Sequence, residues 1–151
     1  MNSEIRKMLE AVRSGELSVD EALLAIKKAP FEDIGYAKVD MHRGIRQGAP
    51  EVIYGAGKTA RQMLGIIDTM KKNGQETILI TRLDQEAAES IGGCYELDYR
   101  QEARIGIIGK MPVPDGIGRI VVAAGGTSDI PVAEEAALTA EFFGAEVYRF
   151  F

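Results

Sequence analysis

The stretch RIVVAAGGTSDIPVAEEAALTAEFFGAEVYRFF, residues 119–151, limits what this chain can fold into more than any other. A run over 119–124, apolar after Arg119 and β-branched at Ile120, Val121 and Val122, stops at two glycines, a helix is expected over 131–143, Gly144 ends it, and 145–151 reads as a second strand. A strand, a helical crossover and a second strand make a parallel unit. Such a unit cannot cover both faces of its strands unaided, so it demands neighbours.

Upstream, strands and helices continue to alternate. GYAKVD reads as a short strand, EVIY as another, and TARQMLGIIDTMKKNG as a helix stopped by Gly74. TILIT is a buried strand, DQEAAESIGG a short helix, and IGIIG one more strand. This alternation predicts an α/β layer with some parallel pairing. Before it, Ile5, Met8, Leu9 and Val12, then Leu23, Leu24 and Ile26, recur at helical spacing on either side of Gly15. A helical hairpin follows, with Ser18 and Glu21 spaced as a capping box and Pro30 closing the segment. The expected organisation is a helical hairpin over 1–30, a small α/β domain over 31–111, a linker over 112–118 marked by the two prolines and glycine of MPVPDG, and the strand-helix-strand unit over 119–151.

Composition narrows the functional classes. With 151 residues, 46% hydrophobic and 27% charged, the chain can build one ordinary core or two small ones. A formal charge of −5 supplies no general field for nucleic acid or an anionic membrane. Charges interrupt MNSEIRKMLEAVRSGEL every few residues, so it is neither a secretory signal nor a membrane span, and a cytoplasmic protein is expected. Cys94 is the only cysteine and His42 the only histidine, which excludes an internal disulfide and a Cys/His metal cluster. A metal would be held by oxygen, with substrate phosphate helping.

Gly125, Gly126, Thr127, Ser128 and Asp129 occupy the turn from strand to helix. In open α/β sheets, ligands sit at the carboxyl ends of strands, where such a turn offers free N–H groups and the positive end of a helix dipole. The glycines clear the way to the backbone, Thr127 and Ser128 donate hydroxyl hydrogen bonds, and Asp129 accepts from a ribose hydroxyl or amine. A nucleotide monophosphate is the natural occupant; a plain helix cap is the alternative.

GAGKT, residues 55–59, echoes a phosphate-binding P-loop, but that pattern needs a glycine where Val52 stands. What remains is a second strand-loop-helix corner suited to an anion, with Lys58 and Thr59, to which Arg43 and Arg46 of HRGIRQG could add charge. The alternative is that these arginines are solvated or paired locally. His42 reads as a loop or structural histidine, and Cys94, among small apolar residues, as inert. Glu134 and Glu135 in the first turns of a helix favour its dipole.

Two long blocks, DIGYAKVDMHRGIRQGAPEVIYGAGKT and VVAAGGTSDIPVAEEAALTAEFFGAEV, resemble the LarB-type nickel-pincer nucleotide biosynthesis proteins, whose carboxyl-terminal domain is similar to PurE-type aminoimidazole ribonucleotide carboxylases and mutases. The resemblance extends over essentially the whole chain. It implies that 119–151 opens a flavodoxin-like, PurE-like parallel three-layer domain. It further implies carboxylation of the pyridinium ring of nicotinic acid adenine dinucleotide with CO2 or bicarbonate, and hydrolysis of its phosphoanhydride to AMP and a biscarboxylated pyridinium mononucleotide. The Gly-x-x-Ser-Asp turn that binds sugar phosphate in PurE-type domains carries over to Gly125, Ser128 and Asp129; Gly126 and Thr127 follow by position. No tightly bound cofactor is implied, and Mg2+ is expected only as an accessory to the substrate's diphosphate.

Proteins of that type are longer and carry the ring-attacking cysteine in their carboxyl-terminal region. The chain is therefore expected to be an amino-terminal portion that lacks the nucleophile, turns over nothing by itself, and forms homo-oligomers through its unpaired sheet edges. Two rival functions are a PurE-type carboxylase or mutase of purine synthesis and a noncatalytic nucleotide-binding module.

Overall fold

The computed structural model describes residues 2–28, 31–40, 50–114 and 117–151. They fall in two compact units, Met1–Ala49 and Pro50–Phe151.

In the first unit, helices α1 (Asn2–Ser14) and α2 (Val19–Lys28) form the expected hairpin. The capping box is present. The Ser18 amide donates to the Glu21 carboxylate at 2.9 Å, and the Glu21 amide donates back to the Ser18 hydroxyl at 3.2 Å. The Ser18 hydroxyl, and then its amide, hold the Glu21 carboxyl below the usual carboxylate range. Strand β1 (Phe31–Asp33) pairs antiparallel with β2 (Lys38–Asp40). GYAKVD is thus a strand only over its last three residues, because Gly35, at φ 86°, lies in the turn between the two strands.

The second unit carries the alternation. Strand β3 (Val52–Tyr54) leads through α3 (Ala60–Lys72) to β4 (Ile78–Thr81), and the two strands pair in parallel. Helix α4 (Gln85–Gly92) leads to β5 (Leu97–Arg100), which turns back antiparallel onto β6 (Ile105–Ile108); β6 also pairs antiparallel with β4. The strand order is β3-β4-β6-β5.

Side-chain alternation divides this sheet. Val52, Leu79 and Ile107 stand opposite one another on one face, and Ile53 and Ile80 on the other. Both faces are covered, since all four residues of β6 are buried. Helices α3 and α4 turn Met63, Ile66, Ile67, Met70 and Ile91 inward. Leu79, Ile105 and Ile107 instead meet Leu138 and Phe142 of α5 (Ile130–Phe142).

Helix α5 belongs to the carboxyl-terminal strand-helix-strand unit, between β7 (Arg119–Ala123) and β8 (Glu146–Phe150), which pair in parallel. The neighbour that this unit demands is therefore supplied in part by the middle sheet, which takes Leu138 and Phe142 of α5. Burying Leu138 and Phe142 there is worth about 1.5–3 kcal/mol for each side chain. The far face of β7 and β8 stays open, with Val121 64% and Phe150 62% exposed. Among the described residues, no helix is long and apolar enough to cross a membrane.

Gly55, just past β3, ties the first corner to the sheet. Its amide donates to the Thr81 carbonyl at 2.7 Å, and a Cβ there would lie 2.9 Å from that oxygen and 3.2 Å from the Arg82 carbonyl. Gly55→Ala is expected to cost about 1–3 kcal/mol in urea denaturation, since backbone rather than a flexible side chain must move; an unchanged midpoint would contradict this packing.

Beyond α4, the Tyr95 hydroxyl donates to Asp68 on α3. That hydrogen bond first, then burial, pushes the Tyr95 pKa up to about 12. A phenol in the unfolded chain ionises near ~10, so the stabilisation is complete below that pH and lost as pH rises towards the folded value. Tyr95→Phe is expected to flatten this part of the stability profile, which thermal melts across the alkaline range would record; a profile identical to wild type would count against it.

Candidate functional site

The 125–129 loop leaves the carboxyl end of β7. The Ala124 amide still donates to Phe150 at 3.0 Å, after which the chain turns and the Asp129 amide donates to the Gly126 carbonyl at 3.0 Å. Asp129 is the N-cap of α5, yet its side chain makes no capping hydrogen bond. Among the described residues the carboxylate is exposed and has no hydrogen-bond partner. The amides of Gly126, Thr127 and Ser128 likewise have no acceptor among the described residues.

The two glycines are informative because no close approach among the described residues requires them. Neither has a positive φ, and a Cβ on Gly125 would meet nothing within 4 Å. A Cβ on Gly126 would lie 3.8 Å from the Asp129 carboxylate and 4.0 Å from the Ser128 hydroxyl, so these two groups flank bare backbone. Open amides, a hydroxyl and a carboxylate converge on one exposed turn at the amino end of a helix. That arrangement can accept a phosphate on the amides and a sugar hydroxyl on the carboxylate.

The 55–59 corner is committed differently. The Lys58 ammonium donates to the Tyr54 carbonyl at 2.7 Å and sits 5.9 Å above the Tyr54 ring. Thr59 is the N-cap of α3, in a reciprocal capping box with Gln62. Both side chains thus serve local structure here. Arg43 and Arg46, and His42 beside them, lie outside the described residues. Cys94, expected among small apolar residues, is exposed beyond the end of α4.

Glu134 and Glu135 do more than favour a helix dipole. Arg149, half-buried on β8, grips two carboxylates of α5: Glu134 at 3.1 Å and Glu141 through two nitrogens, one at 2.5 Å and the other at 2.9 Å. The Glu141 bonds, then Glu134, hold its guanidinium charged well above the ordinary range against the opposing effect of burial. Glu135 takes Arg82, which follows β4, with Nε 2.9 Å from one carboxylate oxygen. Arg82 also links the corners, because Gly55 packs against its carbonyl.

Beside Glu134 and Arg149 lies a cavity of about 460 Å³, with Tyr99, Arg100, Glu102 and Leu138 in its wall. Among the described residues, no group of three or more His, Cys, Asp or Glu side chains is placed to hold a metal ion.

Compared with known families, residues 31–110 match the LarB/PurE-like N-terminal domain, a span that holds β1 to β6 and ends before the 125–129 loop. An uncharacterized protein of Methanocaldococcus jannaschii is 34% identical over 153 residues. That alignment covers 97% of this chain and 60% of the relative's length.

Proposed function

The chain belongs to the family of the LarB/PurE-like N-terminal domain, and from that premise we propose that it is the amino-terminal portion of a carboxylase of nickel-pincer cofactor synthesis. Its substrate in this reading is nicotinic acid adenine dinucleotide. The pyridinium ring gives up a C–H proton and gains a carboxylate from CO2 or bicarbonate, and water cleaves the phosphoanhydride to release AMP and the biscarboxylated mononucleotide. The observation that carries the proposal is the exposed 125–129 turn, where no close approach among the described residues calls for the glycines and the Asp129 side chain makes no capping hydrogen bond.

In this reading the amides of Gly126, Thr127 and Ser128 cradle a phosphate of the substrate, the Ser128 hydroxyl donates to it, and Asp129 accepts from ribose. Gly125 keeps the approach clear. Mg2+ would come with the substrate, held by its diphosphate oxygens. The ring-attacking cysteine belongs to the longer protein. That protein is cytoplasmic and homo-oligomeric, and the open face of β7 and β8, with Val121, Tyr148 and Phe150, is where copies or further strands join.

The test uses the full-length protein, nicotinic acid adenine dinucleotide and 13C-labelled bicarbonate. Labelled biscarboxylated mononucleotide and AMP are expected in equal amounts. Asp129→Ala should lower kcat/KM by about tenfold or more, the loss of one hydrogen bond to a charged group. An unlabelled product pool, or full activity in the variant, would contradict the proposal. Carboxylation of aminoimidazole ribonucleotide instead would favour a PurE-type enzyme of purine synthesis.

A further inference from the structure

Consecutive glutamates on α5 are held by arginines from two different sheets. Glu135 is held by Arg82, just past β4 of the four-stranded sheet, and Glu134 by Arg149 of the two-stranded one. Both glutamates lie in the half of α5 that starts at the 125–129 loop, so both arginines restrain that half.

Arg82 also occupies a backbone conformation that side-chain-bearing residues rarely adopt, with φ 54°, and Arg104 beside it has φ 53°. The Leu83 amide donates to the Arg104 carbonyl at 2.8 Å, fixing the two strained residues next to each other at the carboxyl end of β4. A glycine at position 82 would relax the backbone, so what an arginine adds there is its side chain. That side chain reaches Glu135, 53 residues further along the chain, whose carboxylate is only 17% exposed.

We propose that Arg82 is a positioning residue for the 125–129 loop: through Glu135 it fixes the amino-terminal half of α5 against the four-stranded sheet, while Arg149, through Glu134 and Glu141, ties both halves of the helix to β8. The loop then has one orientation relative to both sheets, with its open amides set before a ligand arrives. The functional meaning of this clamp rests on the reading of the loop as a nucleotide site.

Arg82→Gly separates positioning from folding, because it removes the ion pair while relieving the backbone. Amide hydrogen exchange in the 151-residue chain is expected to rise by about threefold to tenfold at the hydrogen-bonded amides of Asp129, Val132 and Ala133 and to stay unchanged at Ile78 to Ile80. AMP affinity, read by calorimetry, should fall by a similar factor. Reversing the pair, Arg82→Glu with Glu135→Arg, should restore both.

Unchanged exchange in the Arg82→Gly loop, or no recovery in the reversed pair, overturns the positioning role and leaves the nucleotide reading standing. Absence of AMP binding by the wild-type chain, with the exchange changes present, overturns the nucleotide reading and with it the clamp's role in ligand binding.

Discussion

Helix α5 lies between two sheets, and the second unit depends on that placement. One side of the helix buries Leu138 and Phe142 against Leu79, Ile105 and Ile107, while β7 and β8 close on another. Its sequence, IPVAEEAALTAEF, is apolar nearly all round, as a helix covered on more than one side must be. Without it, the four-stranded sheet would show one bare face and the two-stranded sheet two. The polar residues left on the helix are used as well: Glu134, Glu135 and Glu141 all hold arginines, so the helix is docked by burial and oriented by charge.

That orientation gives the 125–129 turn its character. The turn is exposed, yet it grows from a strand end and a helix start that are both fixed, so its amides and side chains are presented by rigid elements. The 55–59 corner has the same strand-loop-helix plan but a different outcome, because Lys58 folds back onto Tyr54 and Thr59 caps α3. Two corners of equal promise as strings of letters thus part company over where their polar groups find partners.

Local signals explain what could be read from the residues alone. Apolar periodicity marks α3 and β4, and Gly74 and Gly144, both at φ 87°, end their helices as expected. Strand β5, LDYR, escapes such reading because its alternating Asp98 and Arg100 belong to an edge strand, and only pairing with β6 makes it one. The ion pairs of α5 escape for another reason: Arg82 and Glu135 meet only once the chain has folded, and nothing in either neighbourhood announces the other. The docking of α5 on the middle sheet is equally nonlocal. For Asp129, spacing predicts a cap position but cannot tell whether its carboxylate is spent there.

The family covers the span from β1 to β6, whereas the candidate site lies just beyond, on a platform that the same span supports through α5. The direct measurement is a titration of nicotinic acid adenine dinucleotide into the 15N-labelled 151-residue chain, followed at the backbone amides. Saturable shifts centred on Gly126, Thr127 and Ser128, with Ile78 to Ile80 unmoved, are the predicted result. Saturable binding that leaves those three amides in place, or no binding at all, would contradict a nucleotide site on this turn.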